Sequence, residues 1–300
     1  GNWRPQGDVA RRAHVSTGHD QWSHMPSHIK KLTRSFHANR GLLLSLLLIS
    51  IIVVRYNQTG FARSLPAGTQ PSPVDFLIFD MGTDGQLSIA WFLAPLCSMA
   101  LVTLALSPEA HEMAVLGHGS LRSLWLSELA DAALAAAHVS VAVFLVSLFC
   151  GIATESAQGA GTAGSVCAVM TGQEFHPSAS QVFVALACLV HLVSVTFFVT
   201  LAYLGTRRIT GSRLGSFALT LVFLLPSVTN GNSFVSDLLR NIPGVAFIEN
   251  PIHAFVTFQS VDWQRWLGNE APHLWFLPLV SILLAAIVYG LSNRQEVSWR

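Results

Sequence analysis

His24 and His28 stand four residues apart, the spacing that sets two imidazoles on one helix face where zinc would accept both. His14, His19 and Asp20 precede them. Pro26 falls between the pair and no third ligand is fixed by spacing, so no metal centre is expected. Glu128 and Asp131 lie one helical turn apart. Such carboxylates serve either proton coupling or a place at headgroup level beside Arg122. His138 and His191 each fall inside a long uncharged run. A polar ring in such a run faces the interior of a helix bundle, as part of a pathway or as a satisfied structural group. Both are candidate translocation-path residues. Cys150 and Cys167 flank a segment expected outside the cytoplasm, where a disulfide is permitted, and form a candidate pair. Cys97 and Cys188 read as small apolar packing residues.

Other chemistry is excluded. The chain has two lysines, Lys30 and Lys31, so the G-x-x-x-x-G-K-[ST] loop that cradles nucleotide phosphates does not occur. No G-x-S-x-G, H-E-x-x-H or C-x-x-C is present. Nothing points to an enzyme active site, and no cofactor is expected on this chain. Net charge is +1, which gives no footing for a nucleic-acid partner.

The elements that carry these residues are set by hydropathy. Charged residues are 11% of the chain, against roughly 25% in an ordinary soluble domain. Mean hydropathy is +0.50. Six stretches lack Asp, Glu, Lys and Arg: 41–54, 85–108, 132–154, 175–206, 214–236 and 271–293. If each crosses a bilayer once, one side holds 13 of the 17 basic residues and the other holds Arg55, Arg63, Arg240 and Arg265. That asymmetry is the positive-inside bias. The fold expected is an all-α polytopic membrane protein of six transmembrane helices with both termini cytoplasmic, in the plasma membrane. The spans are placed at about 41–56, 86–106, 124–150, 180–205, 213–229 and 272–292 within a 24–293 membrane domain. A 1–23 flexible tail precedes it and a 294–300 tail follows.

The first run is short, 14 residues between Arg40 and Arg55. It reads either as a span lengthened by snorkelling arginines or as the apolar core of a signal peptide. Before it, Met25, Ile29, Leu32 and Phe36 recur at helical spacing opposite Lys30, Lys31 and Arg34, which predicts a basic amphipathic helix on the inner leaflet. Segment 55–84, which carries Pro66, Pro71, Pro73 and Gly82, is expected to be an external loop. After the second span, Ser107-Pro108-Glu109 is a helix start, with a capping serine, proline in the first turn and acid at the positive end of the dipole. Gly117 and Gly119 end a helix of about ten residues lying along the inner surface. Between spans five and six, apolar pieces broken by Pro243-Gly244 predict short re-entrant helices, with Trp263 and Trp266 at the headgroups.

This layout resembles the membrane subunit of a bacterial type-2 ABC exporter. The resemblance covers about 24–293. It rests on the amphipathic helix at 24–40, the short helix at 108–117, the re-entrant pieces at 234–258 and the Leu116-Gly117-His118-Gly119-Ser120-Leu121-Arg122-Ser123-Leu124-Trp125 turn. His118 stands where the family would carry another basic residue. The resemblance implies a permease that moves an amphipathic peptide, drug or lipid-like substrate out of the cell. It implies a separate ABC ATPase subunit that binds ATP and Mg and docks on Glu109, His111, Glu112, Leu116 and His118. It also implies a homodimer, or a heterodimer with a second permease chain, surrounded by membrane lipids. A non-transporting six-span accessory, immunity or sensor protein is the alternative, as is a proton-coupled secondary carrier.

Overall fold

The computed structural model describes residues 40–65, 71–81, 89–105, 121–158, 181–229 and 276–298. Among them every regular element is helical. In chain order these are α1 (Arg40–Ser64), α2 (Pro73–Met81), a π-helical stretch (Ile89–Leu93) running into α3 (Ala94–Ala105), α4 (Leu121–Gln158), α5 (Gln181–Thr210), α6 (Arg213–Thr229) and α7 (Phe276–Ser298). Among the described residues three segments are long and apolar enough to cross a membrane: Leu43–Ser64, Ser123–Thr154 and Ala185–Thr210. Three shorter apolar segments accompany them: Ile89–Thr103, Arg213–Val222 and Leu277–Gly290.

Leu, Val, Ile and Ala dominate these helices and make them apolar nearly all round, as suits a bundle whose outside is also apolar. The outward faces carry Leu48, Ile52, Phe149, Val182, Leu214, Ile282 and Leu283, each more than half exposed. Water would not tolerate so continuous a surface, whereas lipid does. α4 and α5 form the hub: α4 packs on α1, α2, α3, α5 and α7, and α5 on α2, α3, α4, α6 and α7. Half of the α5 span is buried and only 22% of the α1 span, so α1 is a rim helix and α5 is central.

Hydroxyls inside the bundle are satisfied internally. Ser50, Thr200, Thr220 and Ser281 each donate to the carbonyl one turn back, at 2.7–2.8 Å. Others join helices. The Ser98 and Thr200 hydroxyls share a 2.8 Å hydrogen bond between α3 and α5, and Thr103 and Tyr203 share one of 2.7 Å nearer the same end. The link from α5 to α6 is only Gly211-Ser212. Gly211 takes φ +65°, which an L side chain resists, and its N–H closes on the Arg207 carbonyl at 2.9 Å. The Ser212 hydroxyl then caps α6 by accepting the Gly215 N–H at 3.1 Å.

Two features depart from the sequence reading. α1 does not stop where its uncharged run stops; it continues past Arg55 to Ser64. Within segment 55–84, expected as an external loop, the described residues form the later turns of α1 and a buried short helix. Ser72-Pro73-Val74-Asp75 starts α2 with a reciprocal cap: Asp75 Oδ2 accepts the Ser72 N–H at 2.8 Å, while the Ser72 hydroxyl faces the Asp75 N–H at 3.3 Å. Val74, Phe76, Leu77, Ile78 and Met81 of α2 are buried. Phe61 of α1 stacks on Phe79 (centroids 4.3 Å) and meets Phe76 edge-on (5.7 Å).

α2 approaches α4 closely at Gly151. A Cβ there would stand 3.3 Å from the Pro73 carbonyl oxygen and 3.3 Å from Phe76 Cβ, and backbone cannot swing aside. Gly151→Val is expected to lower stability by about 1–3 kcal/mol through overpacking. Gly60→Ala in α1, where a Cβ meets nothing within 4 Å, is expected to be neutral or to stabilise by about 0.5–1 kcal/mol. Thermal unfolding of both variants in one detergent checks the pair; equal midpoints would contradict the close approach.

Candidate functional site

Polar side chains gather at the two ends of the bundle. At one end α4 begins and α5 ends. Arg208 of α5 reaches Glu128 of α4 with Nη2 at 2.7 Å and Nε at 3.2 Å, both on Oε2. The guanidinium also lies over the Trp125 ring, 4.6 Å from its centroid. The Glu128 side chain is 6% exposed and that of Arg208 17%, so the pair is shielded enough for its charge to count. Asp131 is buried beside it on α4, one turn further in. The ends of α3 (Ala105) and α4 (Leu121), which bound segment 106–120, lie on this side.

At the other end α1, α2 and α4 meet. Gln58 Nε2 donates to Asp80 Oδ2 at 2.7 Å and to the Ser147 carbonyl at 3.0 Å. The Ser147 hydroxyl donates to the same Asp80 oxygen. Asp80 and Gln58 are 2% and 0% exposed. Burial pushes the Asp80 carboxyl up to about 7, with the Ser147 and Gln58 donors pulling it down. Arg55 donates to the Thr154 hydroxyl and, at 3.4 Å, to the Cys150 carbonyl. Glu128 and Ser147 are nineteen residues apart on α4. That is about 28 Å of helix rise, close to the roughly 30 Å of a hydrocarbon core. The two clusters therefore stand one membrane thickness apart.

The residues named from sequence distribute as follows. Glu109, His111, Glu112, Leu116 and His118 lie outside the described residues, as do His14 to His28. His138 is exposed on α4, and its Nδ1 pairs with the Leu134 carbonyl at 2.7 Å. It lines a cavity of about 110 Å³ between α1, α3 and α4 with Leu43, Leu47, Ser50, Cys97 and Leu101. His191 is buried on α5 and does not line that cavity, so the two histidines do not share it. Cys150 is a half-buried free cysteine, and Cys167 lies outside the described residues. Glu128 is at the expected end of its helix, but its partner is Arg208, eighty residues on. Arg208 was readable only as one of a cation pair, Arg207-Arg208, closing span four on the side where Glu128 opens span three. Asp80, Gln58 and Ser147 carried no motif; the Ser72-Pro73-x-Asp75 cap was the signal that a helix follows.

No family model, curated protein or solved structure matches this chain.

The Glu128–Arg208 pair yields a direct measurement. Glu128→Ala and Arg208→Ala are each expected to lower the unfolding midpoint, because each strands a poorly solvated charge. The double variant is expected to lose less than the sum, with a coupling of about 1–3 kcal/mol. Additive losses would mean that the pair contributes nothing to holding α4 on α5.

Proposed function

We propose that this chain is the transmembrane permease subunit of an ATP-driven exporter of the type-2 ABC kind. The observation that carries the reading is the packing of α3 and α4, the two helices that segment 106–120 connects in sequence, on the central α5. The segment runs from the end of α3 to the start of α4, and near that start the Glu128–Arg208 pair ties α4 to α5. A partner that moves this segment moves the helices of the hub with it. The residues of the segment suit a docking element: a serine–proline start, two early glutamates and glycines at the far end.

ATP hydrolysis falls to a separate subunit, because the lysines needed for a phosphate loop are absent from this chain beyond residue 31. When that subunit closes on ATP and Mg it presses on 106–120. The segment transmits force only if its contacts differ between the open and closed ATPase. Rotation of α3 to α5 against a second permease chain then exchanges access between the two sides. The apolar, lipid-facing walls favour an amphipathic peptide, drug or lipid-like cargo. In orientation, the reading rests on the 13:4 division of basic residues between the two sides.

Charge reversal at both Glu109 and Glu112 is expected to abolish capture of the ATPase by the tagged permease, while the variant still purifies from membranes. Unchanged capture would remove the docking assignment. Purification of the unaltered chain without any P-loop ATPase would favour a non-transporting accessory protein. Flux driven by a pH gradient in vesicles free of ATP would assign a carrier instead.

A further inference from the structure

We propose that Asp80 and Gln58 form a proton-binding site, a carboxylic acid–carboxamide pair that pins α2 between α1 and α4. Donors and acceptors at this site do not balance. The two hydrogens on Gln58 Nε2 are both spent, one on Asp80 Oδ2 at 2.7 Å and one on the Ser147 carbonyl at 3.0 Å. That fixes the orientation of the amide, since turning it over would set its carbonyl against two acceptors. The Ser147 hydroxyl brings a second donor to Oδ2. Asp80 Oδ1 and Gln58 Oε1 are left, both buried and both without a hydrogen-bond partner among the described residues.

Those two atoms are acceptors on the paired carboxyl and amide. One proton taken from water onto Oδ1 makes it a donor, and the amide carbonyl is its complementary acceptor. Acid and amide then join by two antiparallel hydrogen bonds, and both orphaned atoms are satisfied by the same proton. A metal ion at Oδ2 would have to displace an amide donor and a hydroxyl donor already seated there.

The charged and titratable surroundings favour the neutral acid. From α1 comes Arg55, whose guanidinium is turned to Thr154 and the Cys150 carbonyl. From α2 itself comes Asp75, engaged with Ser72. From α4 comes Cys150, and from α5 come Cys188 and His191; the π-helical stretch Ile89–Leu93 offers none. Among the described residues no cation contacts the Asp80 carboxyl. Ionisation would therefore leave a carboxylate at 2% exposure with an unpaired oxygen. Its raised proton affinity agrees in direction.

The site predicts how stability follows pH. The folded acid titrates near 7 and the unfolded acid near its ordinary value of 3.8, so between them the folded chain holds the extra proton. Stability contributed by this group is complete below the unfolded value, declines as pH rises through the window and is lost above the folded value.

The test uses the full chain in lipid nanodiscs and reads thermal unfolding against pH, together with the infrared band of protonated carboxyl groups. Asp80→Asn keeps the shape and replaces the acid O–H by an amide N–H. The unaltered protein is expected to lose several degrees of midpoint as pH rises through the window. It is expected to show a protonated-carboxyl band that fades near neutral pH. Asp80→Asn should lack both the band and that part of the pH dependence, while unfolding no earlier than the unaltered protein at pH 8. A variant that keeps the full pH dependence would overturn the proposal. So would an unaltered protein with no such band, a readout that does not depend on the variant folding. Sodium that raises the midpoint of the unaltered protein at fixed pH, but not that of Asp80→Asn, would assign the site to a metal ion and overturn it too. None of these readouts involves transport, so the site stands or falls apart from the exporter reading.

Discussion

Hydrocarbon offers no hydrogen bonds, and the placement of polar groups in this bundle follows from that. Backbone groups are satisfied within helices, which is why the described elements that would face lipid are helical. Serine and threonine hydroxyls turn back to the carbonyl of the preceding turn, as at Ser50, Thr220 and Ser281. Where they reach across, they find another hydroxyl, as Ser98 finds Thr200. Groups with larger solvation demands, the Glu128–Arg208 pair and the Asp80–Gln58–Ser147 cluster, sit near opposite ends of α4, and the His138 imidazole between them turns back to the Leu134 carbonyl.

The same constraint changes what holds helices together. Lipid is as apolar as a leucine side chain, so burial of leucine against leucine adds little, and close approach matters more. Gly151 lets α2 lie on α4, and Gly205 brings α5 against α7, where a Cβ would come within 3.0 Å of Val288. Alanines do similar work on α4, where Ala132, Ala135 and Ala136 are buried. The hub is made from the helices that offer small residues along their inner faces, while the branched aliphatics of α1 face outward.

How far the fold could be read from sequence follows from which signals are local. Long uncharged runs are local, and helices α4, α5 and α6 fall where those runs are. The end of α1 was not legible, because Arg55 was read as a boundary while helix formation itself is indifferent to one charge that can find Thr154. Asn57 and Gln58, just beyond, look like loop residues by composition, and only their burial against α2 and α4 explains their place in a helix. Helix α2 was missed for a different reason. Prolines 66, 71 and 73 suggested an open loop, yet Pro73 occupies the first helical turn, where its missing N–H costs nothing. Ser107-Pro108-Glu109 offers the same arrangement in sequence, with Glu112 a turn later, and lies outside the described residues. Long-range partners such as Glu128 and Arg208 depend on which helices become neighbours, and a single sequence does not carry that.

The two-residue connection Gly211-Ser212 bears on how the protein is made. It is too short for α5 and α6 to settle independently, so the two form one hairpin and share a single decision about orientation. Arg207, Arg208 and Arg213 crowd the tip of that hairpin. Three cations at one turn resist translocation strongly, so the charged tip weighs on that decision. The hairpin thereby couples the orientation of α6 to that of α5, whatever the segments before them do.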